Sequence, residues 1–294
     1  MRSANLAGWL MASPWLIGFL VFTLGPLGLT LWMSLTEWNL LAAPTFVGLD
    51  NYRRLFFEDP QAWRSAGITA VYSLAAVPLN LLAGFLLALL LNRNVAGMGF
   101  WRSVYYLPSI ISGVAVALLW EWIFSPDFGV LNHVLSWFGV APTAWLFDER
   151  WVLPSFLLMN LWSVGGSMLI NLAGLQSIPT SLYEAAKVDG AGAVRRTFAI
   201  TVPMMTPVLF LNLITGLIGS FQTFTNAYVM TGGGPNKASL FYMLYLYMNA
   251  FEDFRIGYAS AMAWLLFAVV MALTLLVVWS GRYWVHYEGA DRGR

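Results

Sequence analysis

Cysteine is absent from the 294 residues, which excludes a disulfide frame, a thiol nucleophile and a thiolate metal site. Histidine occurs only as His133 and His286, too few and too far apart in sequence to suggest a metal cluster. Lysine occurs only at Lys187 and Lys237. Charged residues make up 10% of the chain, against roughly 25% in a soluble domain. The net charge is +1, so no basic field exists to attract nucleic acid. Hydrophobic residues fill the chain instead, at 59%, against roughly 45–50% in a soluble domain. Mean hydropathy is +0.69. This composition excludes a soluble globular enzyme and a disordered chain. It predicts an integral membrane protein.

A membrane-spanning helix needs about 20 largely apolar residues. Stretches free of Asp, Glu, Lys and Arg place spans near Trp9–Met33, Ile68–Leu91, Leu107–Phe124, Leu153–Leu175, Met204–Phe221 and Tyr258–Ser280. The expectation is an all-α bundle of six transmembrane helices forming a single domain over residues 1–294. Phe128–Phe147 is also uncharged, but Asn132, His133, Ser136 and Pro142 mark it as interfacial loop with a short helix. The first span lacks a basic leader and an A-x-A cleavage site, so it is expected to be retained. With six spans both termini share one side, which carries nine Lys and Arg against six on the other. By the positive-inside rule that side is cytoplasmic, and it includes Gln176–Pro203. Trp120 with Trp122, Trp145 with Trp151, and Tyr283 with Trp284 read as interfacial anchors.

Gln176–Pro203 carries the most information. Ser181 followed by Glu184 has the spacing of a capping box and predicts a helix start. Leu182, Ala185, Ala186 and Val188 give that helix a slim apolar surface, and Gly190 and Gly192 end it. A second short amphipathic segment sets Val194, Phe198 and Ile200 against Arg195 and Arg196 and leads to Pro203. A helical hairpin of small residues is too small for a core of its own. It is either an ordinary interfacial loop or an element that docks into a partner's cleft.

The order Glu184-Ala185-Ala186, then Gly190, nine residues, Ile200, and Val202-Pro203 resembles the EAA loop of permease subunits of bacterial ATP-binding-cassette (ABC) importers. Val202 in place of the usual leucine is the one departure. Further stretches resemble the carbohydrate branch of that family: Phe46-Val47-Gly48-Leu49-Asp50-Asn51-Tyr52, Gly129-Val130-Leu131-Asn132, Thr231-Gly232-Gly233-Gly234-Pro235 and Gly257-Tyr258-Ala259-Ser260-Ala261. The resemblance covers nearly the whole chain. It implies the type I importer permease fold and a place in a bacterial inner membrane, surrounded by lipid. Its implied partners are a second homologous permease, two cytoplasmic ABC ATPases and an extracytoplasmic solute-binding protein, with a carbohydrate as substrate. ATP would be bound by the partner ATPases, so the chain itself needs no cofactor and no metal. The coupling residues would be Glu184, Ala185, Ala186, Asp189, Gly190, Ile200 and Pro203. Glu184 would pair with a cation on the ATPase, and Gly190 would set the turn.

Rival classes find little support. Thr231–Ser239 looks superficially like a phosphate loop, but Asn236 stands where glycine is needed and Ala238 follows the lysine. An intramembrane protease needs a serine–histidine pair at membrane depth, and both histidines lie outside the spans. An ion-coupled carrier needs buried ionisable groups, and the sole candidate, Glu121, sits between two tryptophans at a span end. A membrane scaffold that merely holds an ATPase would predict docking without flux.

Polar uncharged residues within the spans offer a path. Asn160, Ser163, Ser167 and Asn171 follow helical spacing on the fourth span; Asn212, Gly216, Ser220 and Thr223 do so on the fifth, with Gln222 adjacent. These stripes either face each other across the substrate path or pack helices together. With no Lys or Arg inside any span, a neutral carbohydrate is expected rather than a charged derivative such as glycerol phosphate.

Overall fold

The computed structural model describes residues 2–93 and 95–286, with backbone alone for residues 2–10. Glu288, Asp291, Arg292, Arg294 and the Arg2 side chain, all part of the charge balance, lie outside the described residues. In chain order the elements are α1 (Arg2–Phe19), α2 (Gly25–Ser34), β1 (Thr36–Glu37), β2 (Thr45–Phe46), α3 (Asp50–Phe57) and α4 (Pro60–Leu91). There follow α5 (Met98–Tyr106), α6 (Gly113–Ile123), α7 (Val130–Ser136), α8 (Val152–Trp162) and α9 (Gly165–Ser177). The chain ends with α10 (Thr180–Val188), α11 (Ala193–Arg196), α12 (Val202–Phe221), α13 (Thr225–Met230), α14 (Tyr242–Tyr247) and α15 (Ile256–Trp284).

Among the described residues, four stretches are long and apolar enough to cross a membrane: Met11–Ser34, Pro60–Leu91, Ala193–Met230 and Ile256–Trp284. Two bent pairs raise the number to six if each is one span. Met98–Ile110 meets Gly113–Ile123 at 98°, and Val152–Trp162 meets Gly165–Ser177 at 44°. The third and fourth expected spans therefore fall on bends rather than on straight helices. Pro108 lies in a 3-10 turn, Leu107–Ile110, and Ile111 then turns extended. In the other pair the break is at Ser163 and Val164, and Gly165 lies so close to the Tyr105 carbonyl that a Cβ would overlap it.

Two of the three π-helical turns among the described residues lead directly into a proline step. Leu20–Leu24 precedes Gly25-Pro26, and Thr197–Thr201 precedes Val202-Pro203. Proline lacks an N–H and its ring crowds the carbonyl four residues back. The ladder widens instead, with the Gly25 N–H donating to Leu20 O and the Val202 N–H to Thr197 O. At Gln176–Pro203 the expected capping box does not form. The N-cap of α10 is Pro179, with no side-chain hydrogen bond, so Ser181 already lies inside the first turn.

The chain divides into two compact units, Met1–Trp63 with Tyr245–Val269, and Arg64–Leu244 with Val270–Arg294. In the first, Asn51 Nδ2 donates to the carbonyls of Ser34 and Thr36, both at 2.9 Å. The Ser34 and Tyr52 hydroxyls lie 2.8 Å apart. Gly257 presses on the Thr36 carbonyl, where no side chain fits. Asp59 caps α4: its Oδ1 accepts the N–H groups of Gln61 (2.9 Å) and Ala62 (3.1 Å), and Pro60 follows as the first helical residue. Its Oδ2 accepts the hydroxyls of Tyr245 at 2.7 Å and Tyr258 at 2.5 Å. Burial raises the Asp59 pKa, but these four hydrogen bonds outweigh it and hold the carboxyl below its ordinary 3.8. Tyr245 is pushed up to about 12, first by burial and then by Asp59.

In the second unit, Phe85, Ala88, Leu91, Met168, Leu172, Leu175, Ile178 and Met205 form a buried apolar cluster joining α4, α9 and α12. Close approach comes from glycine: a Cβ on Gly174 would stand 2.7 Å from Val208 Cγ2. Arg102 closes α4 by donating from Nη2 to the Leu91 carbonyl at 2.9 Å.

Candidate coupling element and substrate cavity

Helix α10 projects with Glu184, Ala185, Asp189 and Gly190 exposed and Ala186 half-buried. Its end is a Schellman turn. Asp189 is the C-cap, Gly190 has φ +76°, and the N–H groups of Gly190 and Ala191 return to the carbonyls of Lys187 (3.0 Å) and Ala186 (2.8 Å). Glycine is required here by backbone rather than by crowding, since a Cβ would meet nothing within 4 Å. Val188 (88% exposed), Val194 (73%) and Phe198 (71%) surround this tip with bare apolar surface. Beneath it, a small cleft of 190 Å³ is lined by Ala186, Asp189, Arg195, Arg196 and Ile200, among others.

The base is firmly held. The Tyr183 and Thr201 hydroxyls lie 2.9 Å apart, bridging α10 and the π turn before α12. Tyr183, Ile200 and Val202 pack against the apolar cluster of α4, α9 and α12. Pro203 sets the π turn itself. Of the expected coupling residues, Glu184, Ala185, Asp189 and Gly190 thus form the exposed tip, while Ile200 and Pro203 belong to the base. Tyr183 and Thr201 were not anticipated.

The polar stripes separate into two places. Asn160, Gly216, Ser220 and Thr223 line a cavity of 430 Å³, together with Asn80 on α4, Gly113, Phe224 and Asn226. Asn80 Nδ2 donates to Asn160 Oδ1 at 3.3 Å. Gly219 also lines it, and a Cβ there would meet nothing. Ser163 is half-buried at the α8–α9 break and Gln222 is exposed; neither lines the cavity. Asn171 and Asn212 meet in a buried contact, Asn212 Nδ2 donating to Asn171 Oδ1 at 3.1 Å. Ser167 lies beside them, its buried hydroxyl unpartnered and 2.5 Å from where a Cβ on Gly84 would stand. The 44° bend parts Asn160 from Ser167 and splits the fourth-span stripe into a cavity wall and a packing knot. Asn80 and Asn226 escaped the sequence reading. The signal was there: an asparagine in an apolar span is costly and calls for a reason.

The other motifs are architectural. Asn132 bonds Thr143 and Trp145 through Oδ1 and folds the loop after α6. Thr231, Ser239 and Gly234 close the glycine-rich loop, with Thr231 Oγ1 and Ser239 Oγ at 2.7 Å and Ser239 donating to the Gly234 carbonyl. Asn236 Nδ2 donates to Glu149, and Arg64 to the Asn236 carbonyl at 2.8 Å. Thr231, Gly234, Asn236 and Ser239 are thus bonded within the protein, unlike the polar groups of a phosphate loop.

Bent apolar spans around a polar cavity, with a bare-tipped helix anchored to the same spans, define a multispan membrane protein. Comparison with known proteins gives the family. Residues 80–285 match the family described as binding-protein-dependent transport system inner membrane component, and this chain belongs to it. It is 44% identical to a probable ABC transporter permease protein, YesP, of Bacillus subtilis, over 99% of this chain and 95% of that one. It is 35% identical to the trehalose/maltose transport system permease protein MalF of Thermococcus litoralis, over 96% and 95%. A bacterial alginate ABC transporter, solved in complex with an alginate pentasaccharide-bound periplasmic protein, has a chain that superposes with a TM-score of 0.83 at 25% identity, covering 95% of both. The chain is therefore an ABC importer permease, an integral membrane component rather than an enzyme, and works with a binding protein.

Proposed function

We propose that this chain forms one half of the transmembrane path of an ATP-driven importer for a neutral carbohydrate. A second, homologous permease supplies the other half, and two cytoplasmic ABC ATPases power the cycle. The binding protein delivers sugar on the extracytoplasmic side. Both termini and Gln176–Pro203 lie in the cytoplasm, as the excess of Lys and Arg on that side supports. ATP stays with the ATPases, and the chain carries no cofactor.

The observation that carries this reading is the anchored helix α10. Its tip, Glu184, Ala185, Ala186, Asp189 and Gly190, enters an ATPase cleft; its base, Ile200 and Pro203 with Tyr183, rests on the spans that line the cavity. Closure of the ATPases pulls the tip, and the apolar cluster of α4, α9 and α12 carries the movement to the cavity. The two access states must differ in their affinity for the ATPases for this to work.

Substrate passes Asn160, Gly216, Ser220 and Thr223. Ser163, Ser167 and Gln222 belong to the same two spans but lie off the cavity wall. The permease for trehalose and maltose is a relative that supports a carbohydrate. The alginate transporter handles an acidic polysaccharide, which is the second reading. The cavity favours the neutral one, since none of its lining residues is Asp, Glu, Lys or Arg.

The test is ATPase activity in proteoliposomes holding this chain, its partner permease and the ATPases. Stimulation by maltose or trehalose plus the binding protein, lost in Gly190→Val, supports the proposal. Stimulation by acidic oligosaccharides alone moves the reading to charged substrates. Assembly without any response points to a scaffold, and failure to assemble with an ATPase rules out the coupling role.

A further inference from the structure

The geometry points to Asn80 as a specificity-determining residue that, paired with Asn160, reads adjacent hydroxyl groups of the transported sugar. This rests on the proposed path through the cavity and goes beyond it, because Asn80 lies on α4, outside the two spans that flank the coupling loop.

The argument is one of valence. An asparagine amide has two N–H donors and one carbonyl acceptor. The single bond from Asn80 Nδ2 to Asn160 Oδ1 uses one donor and part of one acceptor. It leaves the Asn80 Oδ1 as an acceptor, and the Asn160 Nδ2 and the second Asn80 N–H as donors, on two residues that both line the cavity. Exchanging the two amide orientations reverses the roles and leaves the same acceptor–donor couple. The bond restrains the rotation of both amides. A lone asparagine in a lipid-embedded helix would rotate freely, whereas this couple is preorganised.

A hydroxyl both donates and accepts, so neighbouring ring hydroxyls suit an acceptor–donor couple. A carboxylate or phosphate needs donors only and would face the Asn80 carbonyl oxygen. The couple thus selects a neutral diol and disfavours an anion. The remainder of the wall agrees with this chemistry: Ser220, Thr223 and Asn226 add neutral polar groups, and Gly216 and Gly219 leave room for a ring.

Two experiments test it in the full complex with ATPases and binding protein. The first uses trehalose, maltose and their monodeoxy analogues as probes of uptake. Asn80→Leu keeps the branched shape and the apolar helix but removes the polar group. It should raise KM for the parent sugar about threefold to tenfold, the size of one lost hydrogen bond, and erase discrimination against one monodeoxy analogue. Asn80→Gln should fall in between. Asn80→Leu with parental KM and parental discrimination against every analogue overturns the inference. Gly219→Leu is the control on the path: Gly219 lines the cavity, a Cβ there meets nothing within 4 Å, and the longer side chain takes up cavity space. If Gly219→Leu leaves uptake intact, the cavity is not the path and the proposed function fails at that point. If it blocks uptake while Asn80→Leu changes nothing, only the role of Asn80 falls.

The second experiment needs no sugar. The chain has no cysteine, so Asn80→Cys, Gly219→Cys and Ser167→Cys each carry one thiol. A charged, water-soluble thiosulfonate should label the first two at similar rates and spare the buried third. An Asn80→Cys as unreactive as Ser167→Cys overturns the inference whatever the substrate.

Discussion

The Tyr183 and Thr201 hydroxyls, 2.9 Å apart, join the helix that leaves the membrane to the turn on which the fifth span stands. A hydrogen bond of this kind is worth about 0.5–1.5 kcal/mol. Tyr183→Phe should keep assembly with the ATPase but loosen the coupling, raising the ATP hydrolysed per solute imported. Tyr183→Ala, which also removes packing against the apolar cluster, should be several-fold worse. Equal stoichiometry in wild type and Tyr183→Phe would show that the bond carries no movement.

Gly190 should tolerate substitution in an order set by backbone rather than by size. Its φ is +76° and its surroundings are open. A left-handed conformation costs an ordinary L-residue roughly 1–2 kcal/mol, and asparagine less. Gly190→Asn should retain most uptake, Gly190→Ala less, and Gly190→Val least. Uptake measured in cells with matched expression checks the order, and Gly190→Val at wild-type rate would refute it.

Gly84 should fail by size. A Cβ there stands 2.5 Å from Ser167 Oγ and 3.0 Å from its Cβ. Gly84→Ala should destabilise the chain by about 1–3 kcal/mol through overpacking, read as a lower melting temperature in detergent. Ser167→Gly in the same chain should restore much of the loss. Absence of rescue would place the strain elsewhere.

Asp59 should make the first unit sensitive to acid. Its carboxyl is held below 3.8, so its contribution is complete above that pH and fades as pH falls through the lower, folded value. Tyr245 is raised from 10.0 to about 12, so its contribution is complete below 10.0 and fades as pH rises towards 12. Melting curves of wild type and Asp59→Asn should therefore differ most between these limits and converge in acid. A constant difference down to pH 2 would contradict the assignment.

The spans were legible because membrane helices announce themselves by uncharged length, and the coupling loop because its small residues and glycines sit at a specific spacing. The bends were harder to read. Pro108 marks one, but the bend at Ser163 and Val164 depends on Gly165 meeting the Tyr105 carbonyl, a contact between residues distant in sequence. Because helical spacing assumes a straight axis, that bend also hid the fate of Ser167, which the stripe had placed with Asn160. The same spacing rule did bring Gly216 and Ser220 of α12 onto one cavity, which Asn160 of α8 and Thr223, in the break before α13, also line. Ser181 misled for a local reason. Its distance from Glu184 suits a cap, but Pro179 already stands at the helix start.

The Asp59 junction also orders the life of the chain. Its two phenol donors are made 186 and 199 residues after it. As the ribosome releases the chain from the amino end, Arg64–Leu244 is complete while Asp59 still waits for both partners. The start of α4 is thus among the last places to gain its full set of hydrogen bonds, and a truncation before Tyr245 leaves the Asp59 carboxylate without either hydroxyl.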